Sequence, residues 1–354
     1  MQMECFVTGG SGFIGQHLLA HLTARGHRCQ VLMRSAQAQG RLAEQVGLLG
    51  GEASRLVFVR GDISQPGLGL STADQQAMAS VRLVFHLAVQ FAWGLTLDQA
   101  RAVNVQGPLN VARWAAERGC RLLMVGGYML ENHEHMKALG IDLEAVDATD
   151  WPRVYRRAGG YEGSKMEAHF AVLQYLRQVG GHYTIVHPAT VCGHSRTGHI
   201  LAGQPLVALM RNLAGGRLKA IPGSPDHWLP LVSVDYLVAL MGAVAIDPDM
   251  VNQQVLALDA DTPALGGLLE RVAPILGVRA PHRYVALGVL RGLLRVPGVS
   301  ALLKTSPESL DFIQTTRFDM SNTRRLDRRY ALRHPDIGLA LDNTARFVRH
   351  SLLA

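Results

Sequence analysis

The sequence predicts a doubly wound α/β fold: a parallel sheet covered by helices on both faces, followed by a smaller, mostly helical C-terminal region. Three observations carry that expectation. Short, continuous apolar runs recur at Cys5–Val7, Cys29–Met33, Leu56–Val59, Leu83–His86, Leu122–Val125 and Tyr183–His187. Helix-length segments separate them, and strands buried on both faces read as unbroken apolar runs rather than as alternation. A glycine-rich turn stands between the first run and an apolar-faced helix, where a βαβ unit begins.

The first thirty-four residues justify the opening unit. Cys5, Phe6 and Val7 form the first strand, Phe13, Ile14, Leu18, Leu19 and Leu22 give the helix its apolar face, and Cys29–Met33 returns as the second strand. Near residue 190 the character changes, with Gly193, Gly198, Gly203, Pro205, Pro222, Gly223, Pro225 and Pro230 marking an excursion from the sheet. A strand–helix pattern over Leu229–Ala245, with Asp235 as its expected cap, leads back to the core. The expected division is therefore residues 1–190 plus 228–250 for a nucleotide-binding domain, and 191–227 plus 251–354 for a substrate-binding region. Val285–Leu303 is largely apolar but carries Arg291, Arg295 and Pro297, which suits a lid or core helix better than a bilayer span.

A chain of 354 residues, 48% hydrophobic and 18% charged, is long enough to bury its own core. The formal charge of +7 rests on arginine, since lysine occurs only at 137, 165, 219 and 304. Six arginines gather between Arg317 and Arg333, read as a solvated helix face or as a landing site for an acidic partner. They form no nucleic-acid module, so nucleic acid is not an expected partner. Cys5, Cys29, Cys120 and Cys192 lack metal or disulfide spacing and read as buried thiols in a reducing compartment. His133 and His135 flank Glu134, but an H-x-H pair without a third ligand does not make a metal site. The opening MQMECFVTGG has no basic n-region and no apolar core of signal length, so a cytoplasmic location without a transmembrane segment is expected.

Thr8-Gly9-Gly10-Ser11-Gly12-Phe13-Ile14-Gly15 spells G-x-x-G-x-x-G between strand and helix, the context in which backbone amides and a helix N-terminus meet a pyrophosphate. This is the opening of a Rossmann dinucleotide-binding fold. No acid occurs between Gly15 and Glu44 to hold a ribose 2′-hydroxyl, whereas Arg34 stands where the second strand ends, with Arg41 beyond it. That pattern favours NADP(H) over NAD(H). Asp62 closes the third strand and can either bond the adenine amine or cap its own loop.

Among eight tyrosines only Tyr161 has a lysine four residues on, Lys165, so the two share a helix face. An ammonium near a phenol of ordinary pKa about 10, helped by an oxidised nicotinamide, favours phenolate. Tyr161 could then exchange a proton with a substrate oxygen as hydride moves, while Lys165 holds the nicotinamide ribose.

These motifs, together with Gly61-Asp62-Ile63, His86-Leu87-Ala88, Asn104-Val105-Gln106-Gly107 and Pro188-Ala189-Thr190-Val191, resemble the extended short-chain dehydrogenase/reductase superfamily over most of the chain. Residues 61–71 and 193–198 resemble its thioester reductase and fatty-acyl reductase branch. The resemblance implies Tyr161 and Lys165 as catalytic residues. It implies cofactor contacts at Gly9, Gly12, Phe13, Ile14, Gly15, Arg34, Asp62, Ile63, Leu87, Ala88, Lys165 and Pro188.

One position departs from the family pattern. Where the family places Ser or Thr to steady the substrate oxygen, this chain aligns Gly127 in Val125-Gly126-Gly127-Tyr128. Losing such a donor costs on the order of 3 kcal/mol of transition-state stabilisation. The amides of Gly126 or Gly127, the Tyr128 hydroxyl or a water are the available substitutes. The 131–160 insertion reads as a flap over the nicotinamide, and His187 as a core histidine. The expected function is NADPH-dependent reduction of an apolar aldehyde, ketone or acyl thioester, free, on CoA or on a carrier, with a homodimer as an option. The alternatives are an NADP(H)-binding sensor with little catalysis, an alcohol dehydrogenase, or a nucleotide-sugar epimerase/dehydratase.

Overall fold

A computed structural model describes residues 2–89, 97–296, 298–303 and 305–353. Pro297 and Lys304, named above, lie outside the described residues. The first unit contains strands β1 (Glu4–Thr8), β2 (Arg28–Met33), β3 (Leu56–Arg60), β4 (Leu83–His86), β5 (Arg121–Val125) and β6 (Tyr183–Pro188). Its helices are α1 (Phe13–Thr23), α2 (Gln39–Leu48), α3 (Thr72–Ala77), α4 (Leu97–Asn104), α5 (Gln106–Glu117), α6 (His133–Leu139) and α7 (Trp151–Val179). The later elements are β7 (Thr190–Cys192), α8 (Pro205–Ala214), β8 (Ile221–Pro222), β9 (Leu231–Ser233), α9 (Val234–Ile246), β10 (Gln253–Ala257), α10 (Leu265–Ile275) and β11 (Tyr284–Val285). Helices α11 (Leu287–Leu294), α12 (Val299–Leu303), α13 (Ser321–Tyr330) and α14 (Ile337–Phe347) complete the chain.

Seven strands form one parallel sheet in the order β10-β6-β5-β4-β1-β2-β3. Cys5 of β1 pairs with Cys29 of β2 on one side and with Leu83 of β4 on the other. The strand order reverses between β1 and β4, and the carboxyl ends of strands flanking such a reversal are where doubly wound sheets bind ligands. Phe6, Val84, Leu122 and Ile185 are fully buried on the sheet, and the Trp114 ring of α5 lies 4.9 Å from that of Phe6. All four cysteines are free and buried.

The chain divides into two compact units, Met1–His187 with Val238–Val255, and Pro188–Leu237 with Leu256–Ala354. Two local expectations need correction. Strand β9 pairs with β7 in a separate two-stranded sheet instead of returning to the main one. Asp235 lies in the first turn of α9, and its carboxylate accepts the backbone N–H and the hydroxyl of Ser195, at 2.9 and 2.6 Å, so it ties a loop rather than capping the helix. The 131–160 insertion is built of structured pieces: α6, capped by Asn132 accepting from the His135 N–H, and the first turns of α7. Val285–Leu303 contains two short helices, and among the described residues no helix is long and apolar enough to cross a membrane.

Arg121 at the start of β5 is the main polar clamp in the first unit. Its guanidinium donates to the Thr184 hydroxyl, to the carbonyls of Val244 and Ala245 in the last turn of α9, and to the Asp247 carbonyl, which also takes the Met250 N–H at 3.3 Å. Replacing Arg121 with Leu takes this donor from the Val244 and Ala245 carbonyls and from the Thr184 hydroxyl, and is expected to lower stability by about 3 kcal/mol, read from the urea midpoint. A loss below about 0.5 kcal/mol would show that water serves them equally well.

Candidate active site

At the carboxyl end of β1 the chain turns through Gly9, whose φ of +75° suits glycine. A Cβ on Gly9 would stand 2.5 Å from the Ala88 nitrogen, and one on Gly15 would stand 2.3 Å from the Gly9 carbonyl oxygen. Glycine at both positions lets the turn lie against Leu87–Ala88, where the Leu87 N–H donates to the Thr8 carbonyl at 3.1 Å. Helix α1 begins behind it at Phe13 and Ile14, with Gly12 as an N-cap that offers no side chain and no acid in the first turn. The helix N-terminus thus faces the turn without a side-chain cap or a carboxylate, which suits a pyrophosphate cradle.

Arg34 follows the last residue of β2 and is exposed, as is Arg41 on α2. A third cation was not singled out from the sequence: Arg60, exposed at the end of β3, whose register partner on β2 is Met33. Strand pairing therefore sets Arg60 beside the strand end that Arg34 leaves. None of the three has a carboxylate partner among the described residues. Asp62 accepts the Ser64 N–H at 2.9 Å, the loop-capping option. The Ile63 carbonyl accepts from Asn110 at 2.8 Å, and its side chain fills the space beside Gly107, where a Cβ would stand 2.7 Å from Ile63 Cδ1. Pro188 is the last residue of β6.

Helix α7 is broken at Gly159, whose φ of 84° and ψ of 171° are not helical, so Tyr161 sits in the first turn of a restarted helix. Ser164 donates to the Tyr161 carbonyl at 2.9 Å and accepts from Asn104 at 3.1 Å, joining two motifs 60 residues apart. Farther along, the Glu167 carboxylate takes the Arg101 guanidinium and the Tyr155 hydroxyl, which pins α4 to α7. Lys165 Nζ lies 5.7 Å from the Tyr161 ring centroid and donates to the Gly126 carbonyl at 2.6 Å.

The electrostatics correct one expectation. Burial, with the Glu162 carboxylate adding to it, pushes the Tyr161 phenol well above its ordinary range, so the unliganded site does not favour phenolate. Burial also pushes the Lys165 ammonium down to about 8. His86 at the end of β4 is pushed down to about 4, chiefly by burial, and its Nδ1 lies 2.7 Å from the Thr8 hydroxyl. His135 lies 2.9 Å from Glu162, and among the described residues no three His, Cys, Asp or Glu side chains could share a metal.

The peptides that could have replaced the missing hydroxyl are already engaged. The Gly126 N–H donates to the Val186 carbonyl at 2.8 Å, and the Gly127 N–H to His187 Nδ1 at 3.3 Å. Tyr128 is packed away with 2% exposure. Gly127 itself is extended, with φ −163° and ψ 145°, and among the described residues a Cβ there would meet only Lys165 Nζ, at 3.8 Å. His187 is fully buried, with Nε2 2.7 Å from Gln254 Oε1 and 3.4 Å from Glu131 Oε1.

The low Lys165 value is directly measurable because the chain has four lysines. In ¹³C-dimethyl-lysine NMR, one resonance should titrate near pH 8 and vanish in Lys165→Met. Because the folded value lies below the unfolded one, near 10.4, the unfolded chain binds more protons between them. Stability should therefore rise with pH from about 8 to about 10.4, and Lys165→Met should flatten that rise. A lysine signal unaffected until pH 10 in the folded wild type would refute the burial argument.

Residues 7–241 match the family described as male sterility protein, an NAD-binding domain. The chain is 28% identical over 240 residues to the PKS-NRPS hybrid synthetase cheA of Chaetomium globosum, covering 66% of this chain and 5% of that protein. It is 31% identical over 198 residues to the 4-hydroxy-2-methyl-3-oxo-4-farnesyl-3,4-dihydroquinoline-1-oxide ketoreductase of Stigmatella aurantiaca, covering 55% of this chain and 52% of that one. Its fold is similar to the terminal R domain of the myxalamid PKS-NRPS pathway, with a TM-score of 0.76, 21% identity, and coverage of 99% of this chain and 91% of that one. Family and relatives indicate an NAD(P)-dependent reductase. With its parallel sheet, glycine turn and matched residues, the chain belongs to the male sterility protein family, within the extended short-chain dehydrogenases/reductases.

Proposed function

We propose that the protein is an NADPH-dependent carbonyl reductase in which Tyr161 is the proton donor and Lys165 its cationic partner. The observation that carries this reading is the convergence of Tyr161, Lys165 and the Gly126–Gly127 turn, in the same unit as the glycine cradle. The turn suits a dinucleotide, since glycine at 9 and 15 lets the backbone close tightly on itself and on Leu87–Ala88 in front of a helix N-terminus that carries no side-chain cap and no acid. When bound, the nicotinamide supplies the hydride. Tyr161, held protonated by burial, gives its proton to the oxygen of an aldehyde or ketone as the carbonyl carbon is reduced. On a thioester, hydride addition with departure of the thiolate gives an aldehyde. The substrate we favour is an apolar carbonyl, with a carrier- or CoA-bound thioester suggested by the synthetase relative. The free, buried cysteines support a reducing, cytoplasmic setting.

Arg34, joined by Arg60, supports NADPH over NADH. Both are exposed, adjacent in strand register and free of carboxylates among the described residues, so they can meet a 2′-phosphate bidentately. The second reading, a cofactor sensor, draws on the engaged amides at Gly126 and Gly127.

Two measurements test these readings. Against a panel of aldehydes, ketones and acyl thioesters, Tyr161→Phe should cut kcat by about 100-fold or more while NADPH affinity holds. Gly127→Ser, for which there is room beside Lys165, should raise kcat by about 10-fold or more by restoring the hydroxyl. Wild type that binds NADPH tightly yet reduces nothing, with Gly127→Ser equally silent, would give the sensor the decision. For the cofactor, Arg34→Asp with Arg60→Asp should weaken NADPH binding by about 100-fold and leave NADH binding within a few-fold; equal losses for both would remove the 2′-phosphate assignment.

A further inference from the structure

We propose that His187 is a positioning residue: it orients the Gly126–Gly127 peptide so that the peptide's carbonyl captures the Lys165 ammonium. The Gly126 carbonyl and the Gly127 N–H belong to one planar amide. Lys165 Nζ donates to its oxygen at 2.6 Å, and its N–H donates to His187 Nδ1 at 3.3 Å. The ring is thereby fixed as the neutral tautomer with the proton on Nε2, because Nδ1 must accept. Nε2 then donates to Gln254 Oε1 at 2.7 Å, with Glu131 Oε1 at 3.4 Å. Every donor in this row points the same way, from Lys165 through the peptide and the imidazole to an amide oxygen and a carboxylate. Hydrogen bonds aligned head to tail polarise one another, so His187 makes the Gly126 oxygen a better acceptor for a cation that burial disfavours.

Two further observations support the assignment. A Cβ at Gly126 would stand 2.4 Å from His187 Nδ1, so glycine at 126 is what lets the imidazole lie against this peptide. The ring is also confined, with no exposure and the neighbouring His169 ring 5.4 Å away. The inference rests on the reductase reading only in taking Lys165 as the working partner of Tyr161.

The test compares three substitutions. Asn places its side-chain oxygen near the former Nδ1 and keeps the acceptor for Gly127; Gln reaches toward the Nε2 position and does not; Leu offers neither. In ¹³C-dimethyl-lysine NMR, His187→Leu and His187→Gln should lower the Lys165 pKa by about half a unit or more, whereas His187→Asn should keep it within about 0.2 units. The same two should lose about tenfold or more in kcat with NADPH affinity within twofold, and Asn should retain most of it. If Leu fails to fold, the Asn–Gln contrast decides. An unchanged Lys165 titration, or equal effects of Asn and Gln, overturns the proposal. A wild type that reduces no carbonyl overturns the reductase reading instead, and the lysine titration still judges His187.

Discussion

The absence of two side chains governs this site. At Gly9 and Gly15 the main chain folds on itself and against the end of β4 at distances that no Cβ could share. That approach sets the start of α1, which has no side-chain cap, at the point where strand order reverses. Everything that reads a dinucleotide follows from where the turn is placed. The strand ends at Met33 and Arg60 lie next to each other because β2 and β3 pair in register, which brings two arginines to one edge although 26 residues separate them. On the cofactor reading proposed above, the anion-binding surface arises from backbone proximity, with few side chains supplying specificity.

The proton-handling side of the site is governed by desolvation. Burial pushes Lys165 down and Tyr161 up, and both shifts disfavour the charged forms. In the unliganded protein a neutral phenol therefore dominates, a state suited to giving a proton rather than removing one. The ammonium has no carboxylate within reach among the described residues, and the Gly126 carbonyl is its hydrogen-bond partner. A carbonyl can stabilise a buried cation only as well as it is aimed, so the geometry of that single peptide becomes a determinant of the lysine's charge.

Much of this was legible in the sequence. The six strands of the opening unit fall where continuous apolar runs lie, to within a residue or so at each end, since burial on both faces demands such runs. The pairing of Tyr161 with Lys165 follows from helical spacing alone. What could not be read depends on distance in space. Arg60 becomes relevant only through strand register, and His187 only through its contacts with Gly127, Gln254 and Glu131, residues up to 67 positions away. The pattern over Leu229–Ala245 reads as a return to the core without naming a partner strand, because an apolar run does not state its partner, and in the fold β9 pairs with β7. The upward shift of the phenol in the unliganded site is not legible in the sequence, because proximity of a cation is visible in spacing while the depth of burial is not.

Gly127 shows how these constraints combine. Its extended backbone would accept any residue, and among the described residues a Cβ there meets only Lys165 Nζ at 3.8 Å, so neither strain nor crowding from them demands glycine there. Gly126 is different, because His187 occupies the volume a side chain would need. The two glycines therefore have separate causes: the first follows from the histidine that aims the peptide, while the second removes a hydroxyl without any structural return visible in the fold. A binding protein could lose that hydroxyl without consequence. On the reductase reading proposed above, losing that donor leaves the developing oxyanion to the Tyr161 phenol and any water beside it, which favours intrinsically electrophilic carbonyls.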